Sequence, residues 1–393
     1  MLARAALLGL ETATLGARAV LGARCLRARR HAPPPHTGPF RALFLAQYPE
    51  HFAGTKYRLG TWAERLRRAG HEVELSLAVP APHGERLAHD WSVRARSEFH
   101  LRLLAQRVPA TLRAARADVV VVHMNDLPFW EYGAPFVARA LRRLAGRVLL
   151  DLDDLPVFGG ESTLRPRARE LARSVDGLIV GTHDLLDAFR EGPAWVVPTC
   201  VEPSEWHVPD RSRGGAPPVL GWVGSPGNQR YLERLAPVLA ELCEEHGAVV
   251  RVVSSRPPRL PGVPVEFVAW SAEREAADLE GMDVGLAPLD DGEMERRKCG
   301  LKALQYMASG LPVVASPVGA LARIVRHGET GFHATSLAEW RQALARLLTE
   351  RTLRTGLGIE GREAAVRHWS FAAHEQRFVD ALRGLAPERA RGV

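Results

Sequence analysis

From Phe40 onward, short apolar runs alternate with stretches in which apolar residues recur every three or four positions. Continuous apolar runs bounded by turns mark strands covered on both faces, and the amphipathic stretches between them mark the covering helices, so the chain reads as α/β with parallel sheets. In the first half, strands are expected at 41–47, 71–77, 118–124, 147–153, 177–182 and 194–199. In the second half PVLGWVGS, AVVRVVS, VPVEFVAW, DVGLAPL and LPVVASP have the same character. YRLGTWAERLRRAG and PFVARALRRLAG are helices of the first half, and NQRYLERLAPVLAELCEEHG, SAEREAADLEGM and CGLKALQYMASG of the second.

At 393 residues the chain is too long for one ordinary core and sufficient for two. The pattern divides it into an N-terminal basic amphipathic arm (1–38), a first Rossmann-like domain (39–200), a Pro- and Gly-rich linker (201–218), a second Rossmann-like domain (219–370) and a C-terminal helix and tail (371–393). Two doubly wound domains in tandem bind ligands at the carboxyl ends of their strands, which places the expected site in a cleft between domains. The first thirty residues are apolar but interrupted by Arg4, Glu11, Arg18 and Arg24, too costly for a membrane span. They read as a helix that either lies on an anionic leaflet or forms a frayed arm.

Net charge of +7 and a pI near 9.7 suit an acidic partner, although arginine enrichment alone accounts for the same balance. Four scattered cysteines without metal-ligand spacing fit a reduced, cytoplasmic protein, and no aromatic–basic motif points to nucleic acid. Lysine plus arginine totals 52, yet lysine occurs only at Lys56, Lys298 and Lys302. Two of the three thus sit beside one helix start, where unpaired amides and the helix dipole favour an anion. With the helix opening near Cys299, Lys298 stands at its head and Lys302 one turn along the same face. His123 ends a strand and is expected at the sheet's carboxyl edge, followed by Asn125 and Asp126, either of which suits acceptor hydroxyls; Asp126 is equally a helix N-cap. In AGTKYRLG, Gly54 permits close backbone approach, and Lys56 or Arg58 suits a phosphate or acidic acceptor. Asp151–Asp154, DLDD, ends a strand of the first domain, where a structural or acceptor-side role outweighs metal binding. The amides of Val318, Gly319 and Ala320 open a further helix and can face a sugar or phosphate.

The segment DVGLAPLDDGEMERRKCGLKALQYMASGLPVVASPVGALARIVRHGETGF resembles the donor-binding segment of glycosyltransferase family 4, retaining enzymes of the GT-B fold. GHEVEL, DVVVVHMND, VVPTCVE and VLGWVGSPGN extend the resemblance over most of residues 40–380. It implies a nucleotide diphosphate sugar on the second domain, an acceptor on the first, and no further cofactor or metal. Donor contacts are then expected at Gly224, Ser225, Arg230, Lys302, Gln305, Val318 and Gly319, acceptor contacts at Gly54, Lys56, Arg58 and Asn125, and catalytic roles at His123 and Lys298. Two family glutamates are replaced here by Arg297 and Gln305, and Trp222 and Asn228 stand where a cation is usual. Lys298, helped by Lys302 or Arg230, is therefore expected to stabilise the departing diphosphate. The resulting reading is sugar transfer with retention to a glycan, lipid-linked or small-molecule acceptor, in the cytoplasm with a peripheral option at the inner membrane face. A non-catalytic nucleotide-sugar binder, an epimerase and a phosphorylase are the alternatives.

Overall fold

The computed structural model describes residues 2–26, 30–89, 92–124, 135–154, 164–189, 192–208 and 217–388. The chain forms two compact units, one of Met1–Pro198 with Glu375–Val393 and one of Thr199–His374. The first is built on β1 (Arg41–Ala46), β2 (Glu72–Leu77), β3 (Val119–His123), β4 (Arg147–Leu152), β5 (Gly177–Val180) and β6 (Ala194–Val196). These pair in parallel in the order β2-β1-β3-β4-β5-β6. The second sheet uses β7 (Val219–Val223), β8 (Val249–Ser254), β9 (Val265–Ala269), β10 (Val284–Ala287), β11 (Val313–Ala315) and β12 (Gly331–His333), ordered β12-β11-β10-β7-β8-β9. Each order reverses once, between β1 and β3 and between β7 and β10, and a doubly wound sheet opens its ligand crevice at that reversal.

The expected strands are all present, each shorter by a few residues, mainly because the chain leaves the ladder at the carboxyl end to build loops. β12 was not foreseen; three residues are too few to carry a period. Burial explains the apolar runs. All five residues of β3 are buried, as parallel strands sandwiched by helices must be. In the second unit Trp222, Leu239, Leu242, Val252, Trp340 and Leu344 form the centre of the core.

Three connections differ from the sequence pattern. The helix Leu2–Cys25, expected as an arm, lies against the helices Val93–Arg113 and Phe136–Leu144 and belongs to the first unit. Its buried stripe, Leu10, Thr14, Leu21 and Cys25, is one residue wide, too narrow to stand out as amphipathic. The beginning of the expected linker is also folded. Arg362 donates to the carbonyls of Pro203 (3.1 Å), Trp206 (3.0 Å) and Ala308, fixing this segment to the second unit. Residues 209–216 of that linker lie outside the described residues.

The last helix, Phe371–Arg383, brings the chain back to the first unit. Phe378 stacks on buried Trp62 with ring centroids 4.4 Å apart and meets Phe44 edge-on at 6.1 Å. The Trp195 indole donates to the Leu385 carbonyl at 2.7 Å, and Glu388 bridges Ala194 at the sheet edge. Replacing Trp62 by alanine removes both the area and the stack, so the first unit is expected to lose about 3–5 kcal/mol, read as a lower denaturation midpoint for that unit.

Candidate functional site

Two groups of polar residues stand at the two reversals. In the second unit β7 ends at Val223, and Gly224 and Ser225 carry the chain off the sheet. Tyr306, on the helix Leu301–Ala308, is buried with its hydroxyl between the two strands of the reversal. It accepts from the Val223 amide at 2.8 Å and faces the Leu286 carbonyl at 3.5 Å, while its ring fills the space a side chain at Gly285 would need. Burial raises the Tyr306 phenol above its ordinary range, so it stays a neutral bridge.

Beside it, Lys302 places its ammonium 4.3 Å from the centre of the Trp222 ring and against Gly224. A Cβ on Gly224 would collide with Lys302 Nζ and with that ring, so glycine is needed for the lysine to reach this place. Desolvation, with a smaller contribution from the charge of Lys298, pushes the Lys302 pKa down to about 7. Among the described residues the structure gives this ammonium no hydrogen-bond acceptor; its charge rests on the indole face. It stands at the carboxyl end of β7.

The other donor-side expectations fare unevenly. Lys298 is not on the helix: it follows a short 3-10 turn, Glu295–Arg297, in extended conformation, and left-handed Gly300 (φ 69°) intervenes before Leu301. The one-turn spacing is therefore corrected, although Lys298 remains near enough for its charge to act on Lys302. Arg230 is engaged elsewhere, donating to Glu295 at 3.0 Å and to the Tyr231 hydroxyl at 2.7 Å, and Tyr231 itself donates to Glu295. Burial and the Glu295 carboxylate push Tyr231 up to about 12. Val318 spends its amide on the Ser316 carbonyl at 2.8 Å, so it does not point at a ligand; Gly319 (φ 54°) packs on the Arg296 backbone. Ser225 accepts from the Asn228 amide at 3.0 Å. Gln305 is buried and donates to Glu275 at 2.8 Å, while Arg297 pairs with Glu293 at 2.8 Å.

In the first unit His123 ends β3 and stands in direct register with Asp151, the last residue but one of the neighbouring β4. His123 Nδ1 lies 2.9 Å from Asp151 Oδ2, and Arg58 grips both oxygens of the same carboxylate, at 2.5 and 3.1 Å, while donating to the Val197 carbonyl at 2.9 Å. Arg58 and Asp151 are each about 1% exposed. Burial alone would raise the Asp151 carboxyl, but the Arg58 guanidinium and His123 outweigh it and hold it below the usual range. This corrects Arg58, which is not an exposed acceptor contact but the counter-ion of a buried carboxylate. It also explains DLDD: the first aspartate orients His123, and Asp153 lies 3.9 Å from its Nε2. Gly54 is required beside the histidine, since a Cβ there would come within 2.8 Å of His123 Nε2. Lys56 begins a π-helical turn, Lys56–Gly60, with its ammonium 5.0 Å from the Tyr57 ring. Asn125 and Asp126 lie outside the described residues.

Sequence reasoning missed Tyr306 and Glu275. The signal for the first was Gly285 inside an apolar strand, since such a glycine marks a close neighbour; Glu275 gave none.

Two measurements follow from these environments. Asp151→Asn removes the buried carboxylate charge that Arg58 grips through two nitrogens and is expected to cost about 3–5 kcal/mol in guanidinium unfolding of the first unit. In the folded chain Lys302 loses its proton near pH 7, against 10.5 for the free side chain. Between those values the unfolded chain binds more protons, so the second unit gains stability as pH rises. Thermal midpoints taken at pH 7, 8 and 9 are expected to climb less steeply in Lys302→Met than in the wild type.

The family model described as "Glycosyl transferases group 1" matches residues 217–350. A D-inositol 3-phosphate glycosyltransferase from Corynebacterium aurimucosum is 35% identical over 58% of this chain and 49% of its own length. A lipopolysaccharide core biosynthesis mannosyltransferase from Rhizobium leguminosarum is 27% identical over 50% of this chain and 60% of its own. The chain thus spans about half the length of the curated relatives it matches. Among solved structures, HepE from Anabaena, determined with UDP and glucose, superposes with a TM-score of 0.63 at 15% identity, covering 88% of this chain and all of that one. The matched segment, which is similar to glycosyl transferases group 1, holds β7, Tyr306 and Lys302, and the two parallel six-stranded sheets have the GT-B fold.

Proposed function

We propose that the protein is a retaining, metal-independent glycosyltransferase that takes its sugar from a nucleotide diphosphate donor bound to the second unit. The observation that carries this reading is Lys302, a cation without an acceptor at the strand-order reversal of that unit. Breaking a glycosidic bond to a diphosphate builds negative charge on the leaving oxygens, and an ammonium already desolvated there stabilises that charge more than one in water. Lys298 adds a second charge nearby, so side chains supply what a metal would otherwise provide. Glu275 and Gln305 offer oxygen acceptors suited to ribose hydroxyls. On the first unit His123, fixed by Asp151, is the group for the sugar or the acceptor hydroxyl, and Gly54 leaves it room. The acceptor is a glycan, a lipid-linked glycan or a small polyol such as the inositol phosphate named for one relative. The chain works in the cytoplasm, peripheral at the inner face of the membrane.

A nucleotide-sugar binder without transfer activity is the second reading, favoured by Arg297 and Gln305 standing in place of the two family glutamates. Calorimetry with UDP, GDP and ADP sugars in EDTA separates the outcomes. One donor is expected to bind, Lys302→Met weakening it by about tenfold, roughly 1.4 kcal/mol. Because the diphosphate draws Lys302 back to its charged form, binding at pH 8 is expected to take up protons, visible as a dependence of the heat on buffer ionisation enthalpy and lost in the variant. Absence of binding by every donor overturns the proposal. Binding without release of nucleoside diphosphate in the presence of glycan and lipid acceptors establishes the binder instead.

A further inference from the structure

The helix Leu2–Cys25 presents a second surface that the sugar-transfer site does not use. Opposite its buried stripe, Thr12, Leu15, Gly16, Ala19, Ala23 and, just past its end, Leu26 are all exposed, and none is charged. Leu15 and Leu26 are 64% and 81% exposed. A helix apolar on both sides is normally covered on both sides. Among the side chains described, its charged residues, Glu11, Arg18 and Arg24, lie along the borders of this face.

The neighbouring element is basic. Cys25 packs on Ala140 of the helix Phe136–Leu144, and the outward side of that helix carries Arg139, Arg142 and Arg143. With Arg173 and Glu170 they line a depression of about 440 Å³. Arg143 is close enough to Cys25 for its charge to act on the thiol. Arg139 and Arg142 meet Glu170 and Asp176 in half-exposed pairs at 3.1 and 3.0 Å, of a kind that contributes little and leaves the field positive.

We propose that this face docks on an anionic lipid bilayer, with the helix lying in the interface, Leu15 and Leu26 among the acyl chains and the arginines on the headgroups. The two features select this partner together. A soluble polyanion would satisfy the arginines and leave the leucines in water, and a second copy of the chain would set like charges against each other. An anionic leaflet meets both demands side by side. No helix among the described residues is long and apolar enough to cross a membrane, so the contact is peripheral. The inference rests on the peripheral location proposed above and is independent of transfer chemistry.

The test is co-sedimentation of the full chain with phosphatidylcholine vesicles, with and without a third of phosphatidylglycerol, alongside thermal unfolding as a control of the fold. Binding is expected to the anionic vesicles and not to the neutral ones. It should fall about tenfold or more in Arg139→Ser/Arg143→Ser and in Leu15→Glu/Leu26→Glu, with the thermal midpoint unchanged in both. Failure of the folded chain to bind anionic vesicles overturns the inference and leaves the donor reading untouched. Vesicle binding that the leucine variant retains also overturns it, as would a wild-type dimer in size-exclusion chromatography that the leucine variant dissociates.

Discussion

A parallel sheet that grows outward in both directions from its first strand must send its two nearest crossovers to opposite faces, so they part at one point along the sheet's carboxyl edge. Both sheets of this chain obey that constraint, and nearly every residue of chemical interest stands at the parting. At one lie Tyr306, Gly224 and Lys302; at the other lie Gly54 and His123, with Arg58 and Asp151 behind them. In each case a buried group, the Tyr306 phenol or the Arg58 guanidinium, spends its hydrogen bonds on fixing a strand's backbone or the carboxylate beside His123. The geometry of the sites follows from strand order before any particular ligand is considered.

The Trp222–Lys302 pair shows how two distant elements set the charge at one strand end. Trp222, inside β7, turns the face of its indole to the place where the chain leaves the sheet. The indole faces a lysine from the helix Leu301–Ala308, which follows β10. A cation reaches the end of β7 from a different element in this way, and its desolvation lowers the lysine pKa. Gly224 permits the approach, because no other residue leaves room for the ammonium.

The strands were legible because apolar runs in parallel sheets are long and uninterrupted, and the two-unit architecture followed from their alternation with helices. Lysine rarity drew attention to Lys302, which the structure places on Trp222 beside Gly224. Arg58 was misread because an arginine in a glycine-containing stretch looks solvated, and only the register of β3 and β4 reveals the carboxylate waiting for it. The Lys298 spacing failed because Gly300 adopts a left-handed conformation that delays the helix, a choice made by φ and invisible in a helical-wheel count. Arg230 had equal prospects on paper; Glu295, buried sixty-five positions on, decided its partner.

The first unit is discontinuous in sequence: Trp62 and the edge strand β6 are covered by residues after Glu375. A ribosome has therefore made the whole second unit before the first can close over its aromatic surface. The usual order, in which the leading domain folds while the next is being made, is inverted here. The contiguous second unit can finish on its own contacts, while the first waits with Trp62 open to water or to a chaperone. Its closure joins residues more than three hundred positions apart, a long-range contact of the kind that forms late.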